Sequence, residues 1–571
     1  MERLSKAWAR LPVRRRASLF HGISLALALP LLLWIDRHQW FSGDEWDFLV
    51  RRGVLGKSEL GLWEPHNEHW STLPILVYRG LFAIFGARSY FPYLLVLILL
   101  HLLVAHLLWR LMLRLGVDWL VATAAAAVFM VVGAGWENLI NAFQLTFVAS
   151  IAFGLLALLV VPERGPFGRR DLGGWACIVI SLLFSGVGLT MMLILGIVTF
   201  LRRGWRTALL AVSVPGAVYL LWYLQWGRHA QSVQQEPLKV SLQHAPEFVW
   251  RGLVDSVDRF TGLDAVGPVV LVVLTIWLIR RARPDAEPWP PALGIAVGAP
   301  LFLFLIDLRR SGLGAANASA PRYSYAVIAL LLPASALAVS ALLARTPLRV
   351  VLALTATVVL SVVGISTLND QAKIYATIKQ ENKHRILAAA ALLRSGAETV
   401  SDVPAPEYNP DLHSSQLRRL DRAGELPGNV RLTASDRLTA SDFLQLAFGA
   451  EPIGNELGIG TIEQVIGAEL VGATDPACVR VQPRSDTPVI VLSFDQATAM
   501  TVTPTRRGSL TAQFALPPPR TDVRGRGRTW SVAGGSIGVL TVTATHPWLR
   551  LGVVPDGTTE VCNVTSIAPS P

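Results

Sequence analysis

Leu19-Phe-His-Gly-Ile-Ser-Leu-Ala-Leu-Ala-Leu-Pro-Leu-Leu-Leu-Trp-Ile35, followed shortly by Phe41-Ser-Gly-Asp-Glu-Trp-Asp-Phe48, decides how this chain is read. The first segment is an uncharged apolar run behind a basic n-region of Arg10, Arg14, Arg15 and Arg16. No small-x-small cleavage site follows it and further apolar runs do, so it reads as a retained anchor rather than a signal peptide. The second segment crowds Asp44, Glu45 and Asp47 together just where the run ends. Carboxylates at a membrane surface cost free energy unless they are solvated, paired or used.

Composition fits that beginning. The chain has 571 residues, is 52% hydrophobic and 16% charged, and has a mean hydropathy of +0.45. Those values belong to a multi-span protein whose solvent is the bilayer. The net charge of +11 does not signal nucleic acid, because no basic stripe interleaved with aromatics appears in a soluble segment. The arginines fall instead in short loops between apolar runs: Arg164, Arg169 and Arg170, then Arg202, Arg203 and Arg206, then Arg280, Arg281 and Arg283, then Arg345 and Arg349. This positive-inside pattern puts the N-terminus in the cytoplasm of a multi-pass plasma-membrane protein.

A span needs roughly 20 apolar residues, fewer where protein surrounds the helix. On that rule about eleven spans are expected over residues 1–369. They are Leu19–Ile35, Tyr90–Leu113, Trp119–Val132, Phe143–Val161, Trp175–Ser185, Leu189–Leu201, Thr207–Trp226, Val266–Ile279, Pro291–Ile306, Tyr323–Leu343 and Leu348–Ser366. Leu73–Phe85, interrupted by Arg79, reads as an interfacial helix within a first outer loop, 36–89. Gly227 to about Asp264 reads as a second outer loop with His229, His244, Arg251 and Arg259. An odd number of spans leaves the tail outside.

Residues 370–571 have the composition of a soluble domain, with Gln371–Arg394 helix-compatible. From about 475, short alternating runs predict a β-sandwich or jelly roll: Val489–Phe494, Met500–Thr503, Leu510–Phe514, Trp530–Val532, Val539–Thr543 and Trp548–Leu551. Cys478 and Cys562 bracket this region on the oxidising side and are a candidate disulfide, whereas Cys177 is a buried hydrophobe. Trp530 and Trp548 suit either sugar stacking or the domain core.

Ser42-Gly-Asp-Glu45 also fits a capping box, with acids favoured in a first helical turn. The position directly after the first span, with basic outer-loop residues to complement it, favours chemistry instead. Glu64-Pro-His-Asn-Glu-His-Trp70 adds Glu64, His66 and His69 as candidates to contact sugar or phosphate. His-x-x-His lacks a further ligand at standard spacing, so no cofactor is called for; a divalent cation on the imidazoles and a carboxylate is the alternative. Lys57, Arg309, Arg310 and Arg322 run against the inward bias of the other arginines. They read as headgroup snorkelling or as ligands of a lipid phosphate, with Arg322 before Tyr323 the first choice. Glu137, Asn138 and Gln144, at the tip of a short outer turn, either cap two helices or help hold an acceptor.

An acidic pair just beyond the first span, a long first outer loop, many spans and an outer C-terminal domain together resemble the GT-C superfamily of membrane glycosyltransferases, which use polyprenyl-phosphate sugars. The resemblance implies that the first acid of the pair, Asp44, is the base, with Glu45 beside it. Asp-Glu stands here where many members have Asp-Asp, which leaves the choice between the two open. The Ala-, Val- and Arg-rich composition with a strand-rich tail is similar to actinobacterial cell-wall arabinosyl- and mannosyltransferases. The implied reaction moves a sugar, with inversion, from a polyprenyl phosphate to a cell-envelope glycan or glycolipid on the outer face. A transporter or flippase would place ionisable residues deep in the spans and show related halves. A non-catalytic glycan-binding scaffold is the remaining class.

Overall fold

The computed structural model describes residues 13–53, 59–230, 236–281, 289–344, 347–453, 458–473, 475–544 and 548–566. The chain divides into two compact units. One comprises Met1–Gln39, Glu59–Ile84 and Tyr90–Thr377, the other Trp40–Ser58, Phe85–Ser89 and Ile378–Pro571.

The first unit is helical: α1 (Val13–Ile35), α2 (Thr72–Phe85), α3 (Phe91–Arg114), α4 (Trp119–Met130), α5 (Glu137–Ile140), α6 (Leu145–Val160), α7 (Arg169–Phe184), α8 (Val187–Arg203), α9 (Trp205–Gln225), α10 (Leu238–Thr261), α11 (Val266–Arg281), α12 (Trp289–Arg310), α13 (Pro321–Leu343) and, as far as Thr377, α14 (Arg349–Arg394). Among the described residues, seven helices are long and apolar enough to cross a bilayer, or up to eight if α10 and α11, bent by 108°, form one span. The chain is thus a polytopic helical membrane protein. The expected eleven also counted α4, α7 and α8, which have 12, 16 and 17 residues. At about 1.5 Å per residue these cover roughly 18–26 Å, short of a core about 30 Å thick.

α3 shows why the interior of this unit is where it is. Leu94, Leu97, Ile98, His101, Ala105, Leu108 and Met112 recur every three or four residues and are buried. His101 is fully buried, with its ring nitrogens 3.0 Å from Tyr325 Oη on α13 and 3.0 Å from the Met130 carbonyl on α4. One imidazole therefore ties three helices. α1 and α14 lie at the other extreme, with 17% and 11% of their apolar windows buried, so they turn most of their side chains toward lipid. α14 is not lipid-facing throughout: Ala353, Leu368 and Ala372 are buried, and at Gly364 a Cβ would stand 2.1 Å from the Val131 carbonyl oxygen, with the facing Gly133 crowded by the Gly364 carbonyl at 2.6 Å. Backbones approach this closely in membranes only at small residues.

The segment from Gly227 to about Asp264, read above as an outer loop, is for the most part the helix α10. Its buried residues Ser241, Ala245, Phe248, Gly252 and Ser256 recur every three or four positions. That is a helical stripe of small residues hidden among polar ones. α2, at 14 residues, is too short to span and buries Ile75, Tyr78 and Phe82 on one face.

The second unit holds α15 (Ser414–Arg422), α16 (Ala434–Gln445) and strands β1 (Leu446–Gly449), β2 (Gly460–Ile466), β3 (Ala468–Gly472), β4 (Cys478–Pro483), β5 (Val489–Ser493), β6 (Thr498–Pro504), β7 (Gly508–Ala515), β8 (Arg528–Val532), β9 (Gly538–Val542), β10 (Trp548–Gly552), β11 (Thr559–Cys562) and β12 (Val564–Ser566). They make two six-stranded sheets, ordered β1-β9-β6-β11-β4-β3 and β12-β2-β5-β10-β7-β8. Val481, Val502 and Leu540 of one sheet share a core with Ile490, Phe514 and Leu549 of the other, so the domain is a sandwich. Cys478 and Cys562 face each other across β4 and β11 and are disulfide-bonded. Trp530 is only partly buried and packs on Phe448.

α16 is fastened to the sandwich by Asp442, which is fully buried and accepts N–H bonds from Phe514 at 2.6 Å and Gly527 at 2.8 Å. Burial pushes its carboxyl up to about 7, against the hydrogen bonds that favour the anion. Asp442→Asn leaves one acceptor for two donors, so we expect thermal unfolding of the purified protein to report a loss of about 1–3 kcal/mol.

Candidate functional site

The acidic turn belongs to the second unit. Trp40, Phe41 and Trp46 pack on one another with centroids 5.7–5.9 Å apart and anchor it. Gly43, at φ +60°, donates its N–H to the Tyr408 carbonyl at 2.8 Å. Asn382 and Asn409, both buried, exchange amide hydrogen bonds of 2.7 and 3.3 Å, and Asn382 Nδ2 lies 3.5 Å from the Phe41 carbonyl. The three acids then take different fates. Glu45 is fully buried and accepts the Ser42 N–H at 2.9 Å, the capping-box geometry. Asp47 is buried and paired with buried Arg52 at 2.9 Å. Asp44 alone of the three is exposed.

In the first unit, His66 and His69 close a tight turn with reciprocal backbone bonds of 3.0 and 2.9 Å. Trp70 stacks on Trp222 of α9 at 5.0 Å and holds that turn to the helices. From it runs a chain of charged contacts. Glu68 Oε1 accepts from Arg310 Nε at 2.7 Å and lies 2.6 Å from Nη2. Arg310 Nη1 donates to Tyr323 Oη at 3.2 Å, and the Arg322 guanidinium sits 5.1 Å from the Tyr323 ring centroid. Arg322 Nη1 donates to Glu137 Oε1 at 2.9 Å, and Gln144 Nε2 reaches the same oxygen at 3.3 Å. Arg322 stands in the first turn of α13, where the helix dipole opposes a cation, so Glu137 offsets both.

Glu68 and His69 also line a cavity of about 440 Å³. Its walls are apolar residues of α8, α9 and α12, among them Val187, Met192, Leu220, Phe302 and Leu305, with Thr190, Tyr219, Tyr223 and Arg309 adding polar groups. Arg309 lies over the Tyr223 ring at 5.9 Å. Leu220 is 54% exposed on a bilayer-length helix, so the cavity reaches the lipid-facing surface. Burial drives the His69 imidazole down to about 4, with Arg310, His66 and Arg309 pushing the same way against Glu68. Burial raises the Glu68 carboxyl, but His69 and Arg310 outweigh it and hold it below the usual range. The site thus presents a neutral imidazole and an anionic carboxylate.

Of the residues singled out in the sequence, His69, Arg309, Arg310 and Arg322 share one neighbourhood with Glu68, linked through Tyr323 to Glu137 and Gln144. His66 is buried with its ring 5.3 Å from Phe143, and Glu64 is partly exposed. Lys57 lies outside the described residues. His66, Glu68 and His69 do not gather as metal ligands; among the described residues the one such group is Cys478, Glu560 and Cys562, whose sulfurs form the disulfide. Sequence reasoning missed Tyr219, Tyr223 and the Asn382–Asn409 pair. Nothing local marks either asparagine, since each acts on a turn more than 300 residues away.

No protein-family model matches the chain, and no curated protein matches it. Among solved structures, the crystal structure of ArnT from Cupriavidus metallidurans bound to undecaprenyl phosphate is similar, at 14% identity over 65% of this chain and 79% of that chain, with a TM-score of 0.42.

Two measurements follow. Asp47→Asn removes the charge 2.9 Å from buried Arg52 and should cost about 3–5 kcal/mol in thermal unfolding, whereas Asp44→Asn should cost less than about 1. His69 keeps a folded value below that of an unfolded histidine, so its contribution is present above pH 6.5 and lost as pH falls toward 4. The melting-temperature advantage of wild type over His69→Asn should therefore shrink over that interval.

Proposed function

We propose that this protein transfers a sugar from a polyprenyl-phosphate donor to a cell-envelope glycan or glycolipid, with arabinofuranose or mannose as the sugar. The carrying observation is the cavity. Its walls suit an isoprenoid chain, its opening on a lipid-facing helix suits entry from the bilayer, and its arginine-bearing end suits a phosphate. Arg309 lines that end and Arg310 and Arg322 stand in the contact chain beside it, and three guanidinium groups so gathered favour an anionic headgroup and the more anionic phosphate released on transfer.

Asp44 is the proposed base. It takes the proton of the acceptor hydroxyl as that oxygen bonds to the anomeric carbon and the carbon–phosphate oxygen bond breaks, a single displacement with inversion. Its exposure, on a turn held from three sides, suits that task, whereas Glu45 is engaged as a cap. In this reading the acidic turn faces the outside of the cell with the tail domain.

A transport reading draws on Asp307, which is 1% exposed on α12 with neither carboxylate oxygen hydrogen-bonded. It lies in the last turn of that helix, beside Arg309 and Arg310, rather than deep within the span. That position favours the enzyme.

The test uses the full chain in nanodiscs. Arg309→Ala should weaken binding of undecaprenyl phosphate by at least about tenfold, as expected for one lost charge-assisted contact. Asp44→Asn should bind that lipid as wild type does yet lose about 10²- to 10⁴-fold in transfer of sugar from polyprenyl-phosphoryl arabinose or mannose to cell-envelope acceptor. Transfer undiminished in Asp44→Asn rejects this base, and absence of lipid binding by wild type rejects the donor.

A further inference from the structure

Beyond the phosphate end of the cavity the polar chain continues, and it ends in groups that the fold itself does not use. Asn138, on α5, is fully buried, and neither its Nδ2 nor its Oδ1 has a hydrogen-bond partner. Gln144 is 5% exposed; its Nε2 is given to Glu137, while its Oε1 is unpaired. A buried amide of this kind forgoes two donor and two acceptor positions, a cost that folded chains ordinarily avoid. The turn that carries it is rigid. Ala142 N–H donates to Tyr90 Oη at 2.8 Å, Asn141 caps the next turn through Phe143 N–H at 3.3 Å, and Trp136 packs on Tyr375 at 4.6 Å. Buried, unpaired and firmly held amides are what a site prepared for a polar ligand requires.

We propose that Asn138 and Gln144 form a subsite for the hydroxyls of a neutral sugar, the sugar of the lipid-linked donor. The assignment rests on the polyprenyl-phosphate reading above. Two features carry it. Continuity is the first: Glu68, Arg310, Tyr323, Arg322 and Glu137 lead without a break from the cavity to Gln144. A donor's sugar is covalently attached to its phosphate, so its subsite adjoins the phosphate end. The second is charge. Sugar hydroxyls both donate and accept, which matches free amide groups. An amino sugar would want a carboxylate, but Glu137 is already held by Arg322 and Gln144. A uronate would want a guanidinium, but Arg322 is held by Glu137. Neutral amides are what remains.

The experiment compares binding of three lipids to the full chain in nanodiscs: undecaprenyl phosphate, undecaprenyl-phosphoryl mannose and undecaprenyl-phosphoryl glucosamine with its amine free. Wild type should prefer the mannosyl lipid to the bare phosphate by about tenfold, the scale of one or two hydrogen bonds to otherwise unpaired groups, and should show no such preference for the amino sugar. Asn138→Ala and Gln144→Ala should each abolish the preference without changing affinity for undecaprenyl phosphate. The melting temperature of Asn138→Ala should stay level or rise, since the fold gains nothing from that amide; if this variant does not fold, Gln144→Ala decides. A preference kept in both variants, or an amino sugar bound as tightly as mannose, overturns the subsite alone. Failure of wild type to bind any of the three lipids overturns the donor reading along with it.

Discussion

A guanidinium at a helix end beside the bilayer must find a carboxylate or remain in water, and that constraint organises the first unit. Arg310 ends α12 and Arg322 begins α13, with Tyr323 between their two ion pairs. Glu68 comes from the loop after α1 and Glu137 from the turn before α6. Two sequence-distant segments are thereby joined to the same pair of helix ends, beside the cavity that Glu68 and His69 line. A third arginine, Arg309, lines the cavity and lies over the Tyr223 ring.

The second unit solves a different problem with neutral groups. A chain crossing from an apolar anchor to a soluble domain must satisfy every backbone N–H and C=O as it leaves the helix. Around Phe41–Glu45 this is done by the Tyr408 carbonyl, the Asn382–Asn409 amides and the Glu45 carboxylate. An exposed carboxylate on a turn fixed this way keeps its hydration and loses its freedom of direction, a combination useful in a base.

Much of this was legible in the residues, and for physical reasons. Long apolar runs and alternating strands are periodic signals carried by contiguous residues, so the anchor, most bilayer-length helices and six of the sandwich strands could be read directly. β1 to β4, β11 and β12 could not, because β2 to β4 mix apolar with polar residues and are partly exposed while β1, β11 and β12 have only three or four residues. α10 was concealed because its buried face is mostly serine, alanine and glycine, which carry little hydrophobic weight, with only Phe248 and Val257 as large apolar members. At the site, His69 and the arginines drew attention as charged or polar groups at the ends of apolar runs, but the pairing of Arg310 with Glu68 and of Arg322 with Glu137 joins segments far apart in the chain and carries no local signal. The separate roles of Asp44, Glu45 and Asp47 carry none either, since three acids in four positions look alike until the partners of each are known.

The close crossing of Gly364 and Gly133 bears on how the sequence of α14 is constrained. Over its apolar half nearly any aliphatic residue serves, because lipid does not distinguish valine from leucine. At position 364 one extra carbon would meet a carbonyl oxygen. The tightest demand on that segment therefore falls where the helix meets the turn before α5, and drift at its lipid-facing positions would leave that seat intact.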